Sequence, residues 1–102
     1  MITFTQYLKP YGEARPMTIE RPDEIEALAQ QLIEVGAKFD IEVLSTGEVS
    51  MECLIQGADY EPLVLSSELC ANGPQVLQAV DALVRRAYEK ASMLGRVQEE
   101  AP

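Results

Sequence analysis

Phe39-Asp40-Ile41-Glu42-Val43-Leu44-Ser45-Thr46-Gly47-Glu48-Val49-Ser50-Met51-Glu52-Cys53 alternates apolar and polar side chains on both sides of one short break. Successive side chains of a strand point to opposite faces, so each half reads as a half-buried strand. The break must leave Phe39, Ile41 and Val43 on the same side as Val49, Met51 and Cys53. A two-residue loop at Thr46-Gly47 would pair Val43 with Ser50 and mix the faces. A three-residue loop, Ser45-Thr46-Gly47, pairs Val43 with Val49, Ile41 with Met51 and Phe39 with Cys53. It also puts Gly47 at the left-handed position such loops use. On the reverse face this register sets Asp40 opposite Glu52, Glu42 opposite Ser50 and Leu44 opposite Glu48, with Lys38 as the only base of the hairpin.

Outward from the hairpin, turn residues and periodicity divide the rest of the chain. Ile2 to Leu8 is rich in Thr, Phe and Tyr and alternates weakly, which predicts a strand. Lys9-Pro10-Tyr11-Gly12-Glu13 is a turn, and Met17 to Glu20 is the short return strand. Pro22 suits a first helical position, where a missing N–H has no intrahelical partner to lose. Asp23, Glu24 and Glu26 follow where the helix dipole favours negative charge. Ile25, Leu28, Ala29, Leu32 and Ile33 form one stripe at helical spacing, and Gly36 ends the helix. Downstream, Gly57-Ala58-Asp59 turns the chain into a further strand with Leu63, Leu65 and Leu69 on its inner face. Asn72-Gly73-Pro74 stops that strand and opens a second helix, again with Pro at the first position. Val76, Leu77, Val80, Leu83, Val84, Ala87, Tyr88 and Ala91 give this helix a broad apolar face up to Gly95. The expected fold class is α+β, in the order β-β-α-β-β-β-α. It is a two-layer sandwich whose mostly antiparallel sheet carries both helices on one face. Residues 1–95 make the single domain and 96–102 a flexible C-terminal tail.

Seventeen acidic residues against eight basic ones give a net charge of −9 over 102 residues. Such a field repels nucleic acid and anionic membrane and attracts basic protein surfaces. Histidine is absent, which removes the commonest general base, metal ligand and physiological-pH switch together. Two cysteines, Cys53 and Cys70, are too few for a zinc cage of their own. No catalytic residue, cofactor or metal is therefore expected, and binding takes the place of chemistry. No apolar run approaches the ~18 residues of a membrane span. The opening residues lack a basic region followed by an apolar stretch, so the cytoplasm is the expected compartment.

Ile19-Glu20-Arg21-Pro22, Leu44-Ser45-Thr46-Gly47-Glu48-Val49-Ser50-Met51, Cys70-Ala71-Asn72-Gly73-Pro74 and Ala79-Val80-Asp81-Ala82-Leu83-Val84 stand in this order over most of residues 1–94. Together they resemble a group of small uncharacterised accessory proteins of tailed bacteriophages and prophages of Gram-negative bacteria. These motifs are turn and helix-start punctuation, so the resemblance carries no chemistry over. It implies a phage-encoded accessory protein working in the host bacterial cytoplasm.

The candidate site is the reverse face of the sheet. If the last strand joins with Leu65 beside Cys53, Val64 falls beside Leu54 and Glu68 beside Ser50. The face then carries Asp40, Glu42, Glu48, Glu52 and Glu68, with an apolar spot from Leu54 and Val64. Like charges directly opposite one another are destabilising by up to about 1 kcal/mol. Such crowding is either incidental on a wetted face or a docking surface for a basic host or phage protein. Divalent-cation binding lacks a ligand loop of the required spacing, and a glycosidase-type acid pair lacks a cleft. Cys53 and Cys70 fall too far apart along their strands for a disulfide. The Asn72-Gly73-Pro74 helix start lacks the glycines and Lys of a phosphate loop. Tyr7, Tyr11 and Tyr60 lie in or near loops, where tyrosines suit interfaces. Arg85, Arg86 and Lys90 face water and pair with Glu89 or neighbouring acids. The expected function is protein–protein interaction, as an acidic inhibitor of a host defence or nucleic-acid-processing machine. The alternative is a homodimer that binds a nucleotide signal, using the wide apolar arc of the second helix as its seam.

Overall fold

A computed structural model describes residues 1–8 and 12–97. Its elements are β1 (Ile2–Leu8), β2 (Glu13–Ile19), α1 (Asp23–Glu34), β3 (Lys38–Val43), β4 (Glu48–Gln56), a 3-10 turn (Ala58–Tyr60), β5 (Pro62–Ala71) and α2 (Gln75–Met93). The fold class is the expected α+β one, with the 3-10 turn added between β4 and β5. The strands form one sheet in the order β2-β1-β3-β4-β5. All neighbours are antiparallel except β1 and β3, which run parallel across the α1 connection.

The hairpin carries the predicted register. Phe39 pairs with Cys53, Ile41 with Met51 and Val43 with Val49. The three-residue loop closes with Leu44 N–H donating to Glu48 O at 2.7 Å and Gly47 N–H to Leu44 O at 2.9 Å. Gly47 takes φ 90°, which a side chain would resist. The apolar face of the hairpin lies beside Ile2 and Phe4 of β1, and the Phe4 and Phe39 rings tilt together with centroids 5.3 Å apart. Ile25, Ala29 and Leu32 of α1 and Val80, Leu83, Val84, Ala87 and Ala91 of α2 cover this face, making one core.

Edges depart from expectation for identifiable reasons. β2 begins at Glu13 rather than Met17, because it is an edge strand and tolerates Pro16, whose absent N–H costs no ladder bond there. Pro22 (ψ 150°) precedes the first helical residue, and its carbonyl accepts from Ile25 and Glu26 N–H. Pro74 does take helical dihedrals. Both helices end in paired N–H bonds, Gly36 to Ile33 O and Ala37 to Leu32 O, then Gly95 to Ser92 O and Arg96 to Ala91 O. Val97 is buried beyond that second cap.

β5 holds the main correction. Leu54 pairs with Val64 but Cys53 pairs with Ser66, so Leu65 is the extra residue of a β-bulge. Leu65 and Ser66 both turn inward, and Ser66 Oγ donates to Leu83 O of α2 at 2.8 Å. Beyond the bulge the faces exchange. Leu69, expected inside, stands on the outer face and is 58% exposed, while Cys70 faces the helices beside Val49. Both cysteines are free thiols.

Arg21 and Asp81 tie the loop before α1 to α2. Arg21 Nε and Nη2 donate to Asp81 Oδ1 and Oδ2 at 2.7 and 2.8 Å, a two-pronged and partly buried pair. The hydrogen bonds from Arg21 hold the Asp81 carboxyl below its usual value of 3.8. A depressed carboxylate contributes stability above its unfolded pKa and loses it as pH falls through the folded pKa. Asp81→Asn should therefore cost about 1–2 kcal/mol in urea melts, by the same amount anywhere from about pH 5 to 8. Below about pH 4 the gap to the wild type should close; a gap independent of pH would show that the charge is not what matters.

Candidate functional site

Both helices lie on one side of the sheet, so the other face is left uncovered among the described residues. Alternation decides what it displays: Lys38, Asp40 and Glu42 from β3, then Glu48, Ser50, Glu52 and Leu54 from β4. Asp40 sits directly opposite Glu52 and Glu42 opposite Ser50, as the hairpin register requires. Tyr7 of β1 runs beside Glu42 and Thr5 beside Asp40. These rungs surround a depression of about 190 Å³ lined by Tyr7, Asp40, Glu42, Ser50 and Glu52.

Asp40 is closely confined, with its side chain only 17% exposed. Its Oδ2 lies 3.7 Å from Lys38 Nζ, while Oδ1 is buried with no hydrogen-bond partner. An acceptor left in that state costs about 1–3 kcal/mol. Its charge also reaches through the sheet. The Cys53 thiol beneath is pushed up to about 12, first by burial and then by Asp40. Burial, then Glu68, raises Cys70 as well. Neither thiol is therefore a ready nucleophile at neutral pH.

Of the expected site residues, Asp40, Glu42, Glu52, Leu54 and Val64 come together on this face. Glu48 stands at its end, beside the hairpin loop, where Thr46 Oγ1 donates to Glu48 Oε1 at 3.2 Å. Glu68 does not belong to it. The Leu65 bulge sets Glu68 opposite Met51 instead of Ser50, on the helix side, where Arg86 Nη1 lies 2.7 Å from its Oε1. Leu69 takes the vacated place beside Ser50, and Ser67 stands beside Glu52. Arg85 pairs with Glu24 of α1 rather than with an acid of its own helix.

Tyr7 and Tyr60 bring two contributions that strand alternation alone does not reveal. Tyr7 reaches the acids only through the parallel β1–β3 pairing. Tyr60 stands at the β4–β5 turn, 87% exposed, at a corner formed with Leu54 and Pro62. Asp59 and Tyr60 both hold left-handed backbone, at φ 60° and 63°. For side chains larger than Gly this costs about 1–2 kcal/mol per residue. Gly57 allows the turn to close: its N–H donates to Glu61 O at 2.7 Å, and a Cβ there would meet that same oxygen at 3.0 Å. Tyr11 lies outside the described residues.

Among the described residues no group of three or more Cys, Asp or Glu side chains is placed to share a metal ion. The Asn72 side chain takes up Gly73 N–H at 2.9 Å, which accounts for its place before α2. No described helix is long and apolar enough to cross a membrane. Compared with known proteins, the chain matches no family model, and no curated protein matches it significantly.

The strained turn is open to direct test by thermal and urea melts. Asp59→Gly should raise stability by about 1 kcal/mol by relieving left-handed strain. Gly57→Ala should lower it by about 1–3 kcal/mol, since the methyl runs into backbone. The reverse order of the two variants would contradict this account of the turn.

Proposed function

We propose that this chain is a non-enzymatic accessory protein of phage type. It acts in the host bacterial cytoplasm by docking the uncovered acidic face of its sheet onto a basic surface of a host or phage protein. The observation that carries the proposal is the placement of Asp40 against Glu52 on a face that no other layer of the fold requires. Two carboxylates held across one rung repel each other, and Asp40 Oδ1 lacks a donor. A partner's Lys or Arg laid across that rung would offset the repulsion between the two carboxylates. The net charge of −9 draws such a partner in, and the absence of histidine leaves little for general acid–base chemistry. Machines that process nucleic acid present cationic surfaces to phosphates, so an acidic face of this kind suits their inhibition. The resemblance to tailed-phage accessory proteins agrees with that setting.

A homodimer that binds a nucleotide through the apolar arc of α2 draws less support. Most of that arc, including Val80, Leu83, Val84 and Ala87, is buried in the chain's own core.

The test separates binding from folding. Asp40→Asn, Glu42→Gln and Glu52→Gln combined should abolish a salt-sensitive, stoichiometric complex pulled from bacterial lysate. The same variant should melt at a higher temperature, because like-charge crowding worth up to about 1 kcal/mol is removed. Lys38→Met should strengthen the complex by freeing Asp40. A partner that survives the triple substitution would count against the acidic face.

A further inference from the structure

Next to the acidic depression lies a second one, of about 250 Å³, at the corner where β4 turns into β5. Its walls include Leu54, Pro62, the exposed ring of Tyr60 and the side chain of Lys38. Lys38 and Leu54 form one rung of the hairpin and Asp40 and Glu52 the next rung on the same face. Two residues along a strand is about 7 Å, so the apolar corner and the acids are immediate neighbours. Val64, paired with Leu54, extends the apolar surface and is 45% exposed. Tyr60 is the informative residue. The fold holds it in a backbone conformation that bulky residues avoid, yet buries almost none of its ring. Its aromatic surface therefore contributes little to folding and remains available for contact.

We propose that this corner receives one bulky apolar side chain, aromatic by preference, from the same partner segment whose basic residues lie over Asp40 and Glu52. This rests on the acidic-face reading above and specifies the partner's chemistry. An extended segment lying along β4 repeats its side chains at the same spacing as the rungs. The segment that fits carries a large apolar residue, then Lys or Arg two and four positions away. Lys38 sets the order, because its ammonium, 3.7 Å from Asp40 Oδ2, borders the corner and disfavours a base there. Tyr60 offers the aromatic wall against which such a residue stacks.

Fluorescence polarisation with labelled synthetic peptides tests this. The probes are a peptide containing Trp-Ser-Lys-Ser-Lys, its Trp→Ser version, and a shuffled version with the Trp between the lysines. The wild type should bind the first at least about tenfold more tightly than the other two, as a central aromatic anchor commonly provides. Tyr60→Gly should erase that preference while melting at or above the wild-type temperature, and Tyr60→Phe should retain it. Equal binding of the Trp and Ser peptides, with binding still lost in the triple acid variant, would overturn the pocket and leave the acidic face standing. No binding of any basic peptide at low salt would overturn both. A Tyr60→Gly variant that melts lower would make the ring structural and remove the proposal. So would self-association of the wild type that Tyr60→Gly abolishes, since a second copy would then be the occupant.

Discussion

The register of the β3–β4 hairpin is the constraint on which the rest depends. Three loop residues, with Gly47 left-handed at the third, keep the odd-numbered strand side chains, Phe39, Ile41 and Val43 with Val49, Met51, Cys53 and Ile55, on the helix side and the even-numbered strand residues on the other. A loop one residue shorter would reverse one strand, drive Glu48, Ser50 and Glu52 into the core and expose Val49, Met51 and Cys53. No packing of α1 and α2 could compensate for three buried polar side chains. The hydrophobic core and the acid cluster are two sides of that one decision.

At β5 the strict alternation gives way. The bulge at Leu65 allows two consecutive side chains to face α2, and the second, Ser66, satisfies itself on the Leu83 carbonyl. Its cost is one unpaired residue. Its effect is to carry Glu68 away from the crowded acids and deliver it to Arg86, while Leu69 takes the outer place. The carboxylate density of the open face is therefore lower than uniform strand geometry would impose, and its β5 margin is more apolar.

Much of this was legible in the sequence because it rests on local chemistry. Period-two patterning set both strands of the hairpin and their pairing. Period-three-to-four stripes found both helices, and Gly36 and Gly95 marked their ends. The Leu54–Val64 contact followed from extending the same logic by one strand. What stayed hidden depends on contacts distant in the chain. Nothing in Leu63-Val64-Leu65-Ser66-Ser67-Glu68-Leu69 announces an extra residue, and the partner that Ser66 finds there, the Leu83 carbonyl, lies seventeen positions away on α2. The neighbourhood of Tyr7 comes from a parallel pairing across a helix, and the Arg21–Asp81 pair joins residues sixty positions apart. Asp59 and Tyr60 look like ordinary turn residues until their backbone angles are seen.

Segregation by face also bears on how such a protein can change. Substitutions at positions 40, 42, 50 and 52 alter what the molecule presents without asking any core side chain to repack. The wetted side can change one codon at a time, while Phe39, Ile41, Met51 and Cys53 keep the architecture constant. A sheet with a single covered side thus makes surface chemistry and folding separately heritable.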